Sequence, residues 1–316
     1  MKFIETKMRE LETYCPSLTK QDDFDEFWDS TCAISAQEPL NPKAERIDYP
    51  ATHVAVYSIQ YSGFDGTPIH GWYLHPLFCN AKKFPCIINF HGFGDSKGFP
   101  SEFMHWIVGG YAVLTVDCRD QGGTTGNCAC HSNGMVGNVI TRGLLNEQEF
   151  YYRAVYMDSV RAIDFAQTRA EVDPEKIIVR GASQGGALTM AVCALDKRPV
   201  LAFADCPSNS DLESRVAGFH GAYAMVSKYL QLYPDHLNRV MKTLSYFDTM
   251  NLADRIHCRV VASVGLCDEI CPAKCYFATY NRIQSPKEIK VYPFNGHECG
   301  RGWQIEHQLY CLTKYL

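Results

Sequence analysis

Gly181-Ala182-Ser183-Gln184-Gly185 sets a serine hydroxyl between two glycines, with an apolar run over 176–180 before it and a small-residue stretch from Gly186 after it. This is the pattern of a strand that turns sharply into a helix, where glycines let the two backbones approach and the serine is held above the sheet. A serine is a weak nucleophile unless a base takes its proton and an acid orients that base. The chain order expected for such a layout is serine, then Asp or Glu, then histidine, the last two on loops after later strands. Asp268 follows the apolar run 259–264 through Gly265-Leu266-Cys267, and His297 follows 289–292 through Pro293-Phe294-Asn295-Gly296. Glu269, next to Asp268, competes for the acid role, and Asp205, after an earlier apolar run, competes more weakly.

Acyl chemistry at a serine also needs two backbone N–H donors for the oxyanion, one after the nucleophile and one from the loop after an early strand. Gln184 supplies the first by position, and Asn89-Phe90-His91-Gly92-Phe93-Gly94 offers the second, with Phe93 N–H as the donor. No cofactor is required for this chemistry. Two thiol groupings, Cys128-Ala129-Cys130-His131 and the four-residue spacing of Cys267, Cys271 and Cys275, could suggest a metal. Four-coordinate sites usually join short ligand spacings to a second pair, so these are read as loop and helix-face thiols with no metal bound. Phe219, Tyr223, Tyr229 and Tyr233 could line a sugar site, but aromatic residues at helical spacing more often fill a core.

The elements that must position these residues follow from apolar patterning. Strands are expected over 53–61 and 69–74, joined by the turn Gly63-Phe64-Asp65-Gly66, and then over 86–90, 112–117, 177–180, 200–204, 260–264 and 289–292. Continuous apolar strands alternating with helices such as 151–169 and 186–195 predict an α/β fold with a mostly parallel sheet covered on both faces. Phe24, Phe27 and Trp28 behind Asp22-Asp23 predict an amphipathic helix over 20–35, with the acidic pair at its N-terminal cap, inside a helical extension spanning 1–50. Residues 208–256 interrupt the alternation with helical segments over 217–232 and 236–244, read as a cap inserted into a single domain of 316 residues.

Composition excludes several function classes. With 46% hydrophobic and 21% charged residues the chain is an ordinary globular one, and a formal charge of −5 leaves no basic excess for nucleic acid or an anionic membrane. The N-terminus carries charges throughout and no run of about 18 apolar residues occurs, which predicts a cytoplasmic protein. Fifteen cysteines, several within apolar runs, fit free thiols better than a disulfide scaffold.

Taken together, His91-Gly92-Phe93-Gly94, Asp117-Cys118-Arg119-Asp120-Gln121-Gly122-Gly123, the Ser183 elbow and His297-Glu298 resemble the acetyl xylan esterase and cephalosporin C deacetylase family, carbohydrate esterase family seven. The likeness extends from Phe24-Asp25-Glu26-Phe27-Trp28 through Tyr151-Tyr152-Arg153 to Cys271-Pro272 and beyond. It implies an α/β-hydrolase fold and a serine esterase acting on small acetylated carbohydrates and cephalosporin C. It also implies a homo-oligomer, commonly a ring-like hexamer. Two departures stand out: Asp120 takes the glycine position of the family's Arg-Gly-Gln motif, and Phe93 stands where tyrosine is common. A broad short-chain carboxylesterase, a small peptidase-like hydrolase and a catalytically silent binding protein are the competing expectations.

Overall fold

A computed structural model describes residues 2–79 and 81–316. Among these residues one sheet is formed from β1 (Lys43–Arg46), β2 (Val54–Ser62), β3 (Pro68–Pro76), β4 (Phe84–Phe90), β5 (Ala112–Val116), β6 (Val172–Ala182), β7 (Pro199–Asp205), β8 (Arg259–Gly265) and β9 (Lys287–Tyr292). Its order is β1-β2-β3-β5-β4-β6-β7-β8-β9, with antiparallel pairs up to β3–β5 and parallel pairs from there on. Each expected strand is present, with its bounds moved by a few residues at one or both ends. The strand that patterning missed is β1, whose Lys-Ala-Glu-Arg is exposed along its whole length and so has no apolar alternation to detect.

The helices are α1 (Lys2–Glu12), α2 (Phe24–Gln37), α3 (Met104–Val108), α4 (Tyr151–Gln167), α5 (Gln184–Leu195), α6 (Leu212–Ala217), α7 (Ala224–Leu232), α8 (Leu237–Ser245), α9 (Thr249–Leu252), α10 (Ala273–Tyr280) and α11 (Gly302–Tyr315). Side chains alternate across the sheet, so each buried parallel strand feeds two cores. Ile88, Leu114, Val179 and Ala262 join the core that α4 and α5 cover, while Ile87, Val113, Ile178 and Val261 join a second core with Trp106 of α3 and Leu312 of α11. Helices on both faces are what a sheet with two apolar faces requires.

Two local expectations are corrected. Asp23 does not cap α2; its carboxylate accepts a hydrogen bond from the Tyr246 hydroxyl, and Trp28 Nε1–H donates to Tyr246 O at 2.9 Å, so the helix is fixed by docking on 246–247 rather than by its own cap. The stretch 217–232 is not one helix, because Phe219 and Gly221 take φ of +55° and +56° and separate α6 from α7. The first 50 residues, expected to be helical, also include the edge strand β1. Among the described residues no helix is long and apolar enough to cross a membrane.

Candidate active site

β6 ends at Ala182 and α5 begins at Gln184, leaving Ser183 alone between them at φ +60°, ψ −119°. Such a conformation costs about 1–3 kcal/mol and persists only where its surroundings hold it. Ser183 N–H donates to Asp205 O at 2.9 Å, and Ser183 O accepts from Ala187 N–H at 3.1 Å and Ser208 N–H at 3.0 Å. The flanking glycines are steric necessities. A Cβ on Gly181 would lie 2.4 Å from the Gly185 carbonyl carbon, and one on Gly185 would lie 2.0 Å from Phe90 O.

His297 and Asp268 meet across the loops after β9 and β8, with Nδ1 to Oδ2 at 2.8 Å. An ionised carboxylate only accepts, so Nδ1 carries the proton and Nε2 is left to act as a base. Asp268 is buried, and its Oδ1 is fixed by Ile270 N–H at 2.9 Å and Cys271 N–H at 2.8 Å. The bond to Asp268, followed by the contact with Cys271, outweighs burial and raises the imidazole pKa to about 10. The competing acids are elsewhere. Glu269 is exposed, and Asp205 accepts from Ser263 Oγ at 2.7 Å, Gln304 Nε2 at 2.9 Å and Gln308 Nε2 at 2.8 Å, tying β7 to β8 and α11.

Ser183 and His297 line a cavity of about 400 Å³ with Phe93, Tyr152, Arg215 and Cys271. Among the described residues the hydrogen-bond partner of the Ser183 hydroxyl is Cys271 Sγ at 4.0 Å, so a serine–histidine bond is not closed in this geometry. Catalytic hydrogen bonds often tighten only when substrate arrives. Burial pushes the Cys271 thiol up, but the Arg215 guanidinium and His297 beside it more than offset this and hold it below its usual range. Arg215 is itself buried, donates from Nη2 to Ile270 O at 3.1 Å and lies over the Tyr223 ring at 5.4 Å. Sequence reading gave Arg215 no role and singled out Cys271 only as a possible metal ligand and, with Pro272, as part of the family likeness, because neither belongs to a local motif with the serine.

The loop after β4, which carries the expected donor Phe93, is fixed from several sides. His91 Nε2 accepts Cys118 N–H at 2.8 Å, so Nδ1 must carry the proton that is donated to Gly92 O at 2.7 Å, and burial lowers the pKa of this ring. Phe93 N–H has no partner among the described residues, and Gln184 N–H, at the first turn of α5, has no acceptor within the helix. Gln121 holds the two donor segments together: its Oε1 accepts Gly94 N–H at 2.8 Å and its Nε2 donates to Gln184 Oε1 at 2.8 Å. Beside it Arg119 is fully buried and bidentate to Asp158 at 2.7 and 2.8 Å, with further bonds to Asp65 at 2.9 Å and Phe64 O at 2.9 Å. Asp120 adopts φ +56°, a glycine-like conformation that Asp tolerates, and its carboxylate takes Asn127 Nδ2 at 2.8 Å and Arg142 Nη1.

The thiol and aromatic groupings read from sequence do not gather as units. Among the described residues the close groups of metal-ligating atoms are Cys206–Asp268–Cys299 and Glu288–His307–Cys311, not the Cys128–Cys130–His131 or Cys267–Cys271–Cys275 sets. Tyr223 and Tyr229 are buried as a core reading requires, whereas Phe219 and Tyr233 are about half exposed, at 49% and 47%.

The acetyl xylan esterase family (AXE1) matches residues 1–315. An acetyl xylan esterase from a Paenibacillus species is 38% identical with a TM-score of 0.94, covering 98% of this chain and 99% of that one. Acetyl Xylan Esterase 1 from a Thermoanaerobacterium species is 30% identical with a TM-score of 0.91, covering 98% of each chain. Acetyl esterase Axe7A of Xylanibacter ruminicola is 26% identical over 293 residues, 89% of this chain, but the match spans 64% of that relative's length. With residues 1–315 matched and 98% of its length aligned to solved relatives at TM-scores of 0.94 and 0.91, the chain belongs to the acetyl xylan esterase family, carboxylic ester hydrolases of the α/β-hydrolase fold.

Proposed function

We propose that the chain is a serine esterase that removes acetyl groups from acetylated xylo-oligosaccharides through an acetyl-enzyme. The observation that carries this reading is the His297–Asp268 pair at 2.8 Å, with His297 lining the same cavity as Ser183 and Phe93, whose N–H has no partner among the described residues. His297 Nε2 takes the Ser183 proton as Oγ attacks the acetyl carbonyl, and then returns it to the leaving sugar hydroxyl. Asp268 orients the ring and stabilises its positive form. Phe93 and Gln184 N–H groups receive the oxyanion, and a water activated by the same histidine releases acetate. Cephalosporin C, with an acetyl ester on a different alcohol, is a second substrate under this reading.

Two further proposals concern setting. Fifteen free thiols favour a reducing compartment such as the cytoplasm, and the family resemblance supports a homo-oligomer. Light scattering on the purified chain tests the second. For the chemistry, Ser183→Ala and His297→Ala should each lower turnover of an aryl acetate by about 10⁴–10⁶ while the circular dichroism spectrum is kept. Folded Ser183→Ala protein with more than a few per cent of wild-type turnover would remove the serine from the mechanism.

A further inference from the structure

Cys206 follows β7 and Cys299 follows His297 in the loop after β9, yet both thiols come close to the carboxylate of Asp268 that is paired with His297. The two sulfurs and one carboxylate oxygen lie within 4.8 Å of one another, and all three residues are buried. Two sulfurs on a tetrahedral zinc-class ion with bonds of about 2.3 Å lie about 3.8 Å apart, so side-chain shifts of at most about 1 Å separate this cluster from a coordination shell. Thiolates select borderline and soft ions over magnesium or calcium. We propose that Cys206, Cys299 and Asp268 form a binding site for a thiophilic divalent cation of the zinc type, and that its occupation switches the esterase off.

The ligand exchange balances simply. The ion displaces one proton from each thiol to solvent, and its two positive charges meet two thiolates and one carboxylate. The fourth position is left to water or to a neighbouring oxygen.

Inhibition follows from two contacts already in place. Asp268 Oδ2 accepts the His297 Nδ1 proton at 2.8 Å, and Cys206 Sγ–H donates to His297 O at 3.1 Å. An ion on the carboxylate withdraws the negative charge that orients the imidazole. Deprotonating Cys206 turns its contact with the His297 carbonyl from attraction into repulsion. Both changes displace the histidine from the serine. Because the ligands are buried, binding must wait for the histidine loop to open, so inhibition should develop slowly on pre-incubation.

The effect on turnover rests on the esterase reading above; the metal-binding readout does not. Reduced full-length protein, freed of reductant and kept from air, is titrated with Cd²⁺ while the ultraviolet sulfur-to-metal absorbance is followed. In parallel, Zn²⁺ is pre-incubated before an acetyl ester assay and then removed with EDTA. Wild type should show the absorbance at the first equivalent, and Zn²⁺ should lower turnover at least about tenfold with recovery on chelation, since displacing the triad acid alone costs far more. Cys299→Ser should keep basal turnover, lose the first-equivalent absorbance and weaken inhibition about 10–100-fold, and Cys206→Ser should lose the same absorbance whatever its turnover. If Cys206→Ser does not fold, Cys299→Ser carries the test alone. Absence of the absorbance in wild type, or inhibition that survives in the folded variants, overturns the proposal, the latter by placing the ion on other groups such as Cys271. If wild type binds Cd²⁺ as stated but cleaves no ester, the site stands and the esterase reading fails.

Discussion

Asp268 and Glu269 are adjacent in sequence and opposite in surroundings, one buried under two backbone N–H groups and the other exposed. Asp268→Asn should lower turnover by about 10⁴, whereas Glu269→Gln should stay near wild type; the reverse ranking would move the acid role. The same variant tests the imidazole. His297 must be neutral to take a proton, and its pKa is raised chiefly by Asp268, so kcat/KM of chelator-treated enzyme should climb as pH rises through that pKa. Removing the carboxylate charge should shift this limb to lower pH, and a limb that does not move would assign it to another group. The gathering of Ser183, Asp268 and His297 in space was legible because each follows an apolar strand at the spacing that the proposed chemistry needs. Cys271 and Arg215 were not, since what makes them part of the cavity is contact between loops that are distant in sequence.

At the scale of elements, the site depends on how well the loop after β4 is held against the start of α5. Gln121, from the loop after β5, bridges Gly94 N–H and Gln184 Oε1 at 2.8 Å each, so under the proposed mechanism it positions the segments of both oxyanion donors. Gln121→Ala should reduce kcat by as much as about 10²-fold, the scale of losing one donor, with KM little changed. A fall in melting temperature with kcat intact would instead show a purely structural bridge. The strands that carry these loops were readable as apolar runs because the parallel sheet is buried on both faces. The break between α6 and α7 was not, since the apolar residues on either side keep helical spacing while the turn is imposed at Phe219 and Gly221.

For the molecule as a whole, specificity is a matter of what encloses the cavity. Phe93, Tyr152 and Tyr223 come from three separate regions, the last from the stretch between β7 and β8, and together they bound the space around Ser183. Each added methylene without room of its own costs about 1–3 kcal/mol, or about 10–200-fold. Cleavage of aryl esters should therefore fall steeply from acetate to butyrate and approach background at octanoate; equal rates for acetate and octanoate would point to a broad carboxylesterase. The borders of the sheet carry a different consequence. β1 presents Lys43, Glu45 and Arg46 to solvent at one margin, and β9 carries Lys287, Glu288 and Lys290 at the other. Charged side chains along a short terminal strand oppose the addition of another chain's strand. Copies of this protein are thereby steered away from fibre-like growth by sheet continuation, and any closed assembly they build must join through helices and loops.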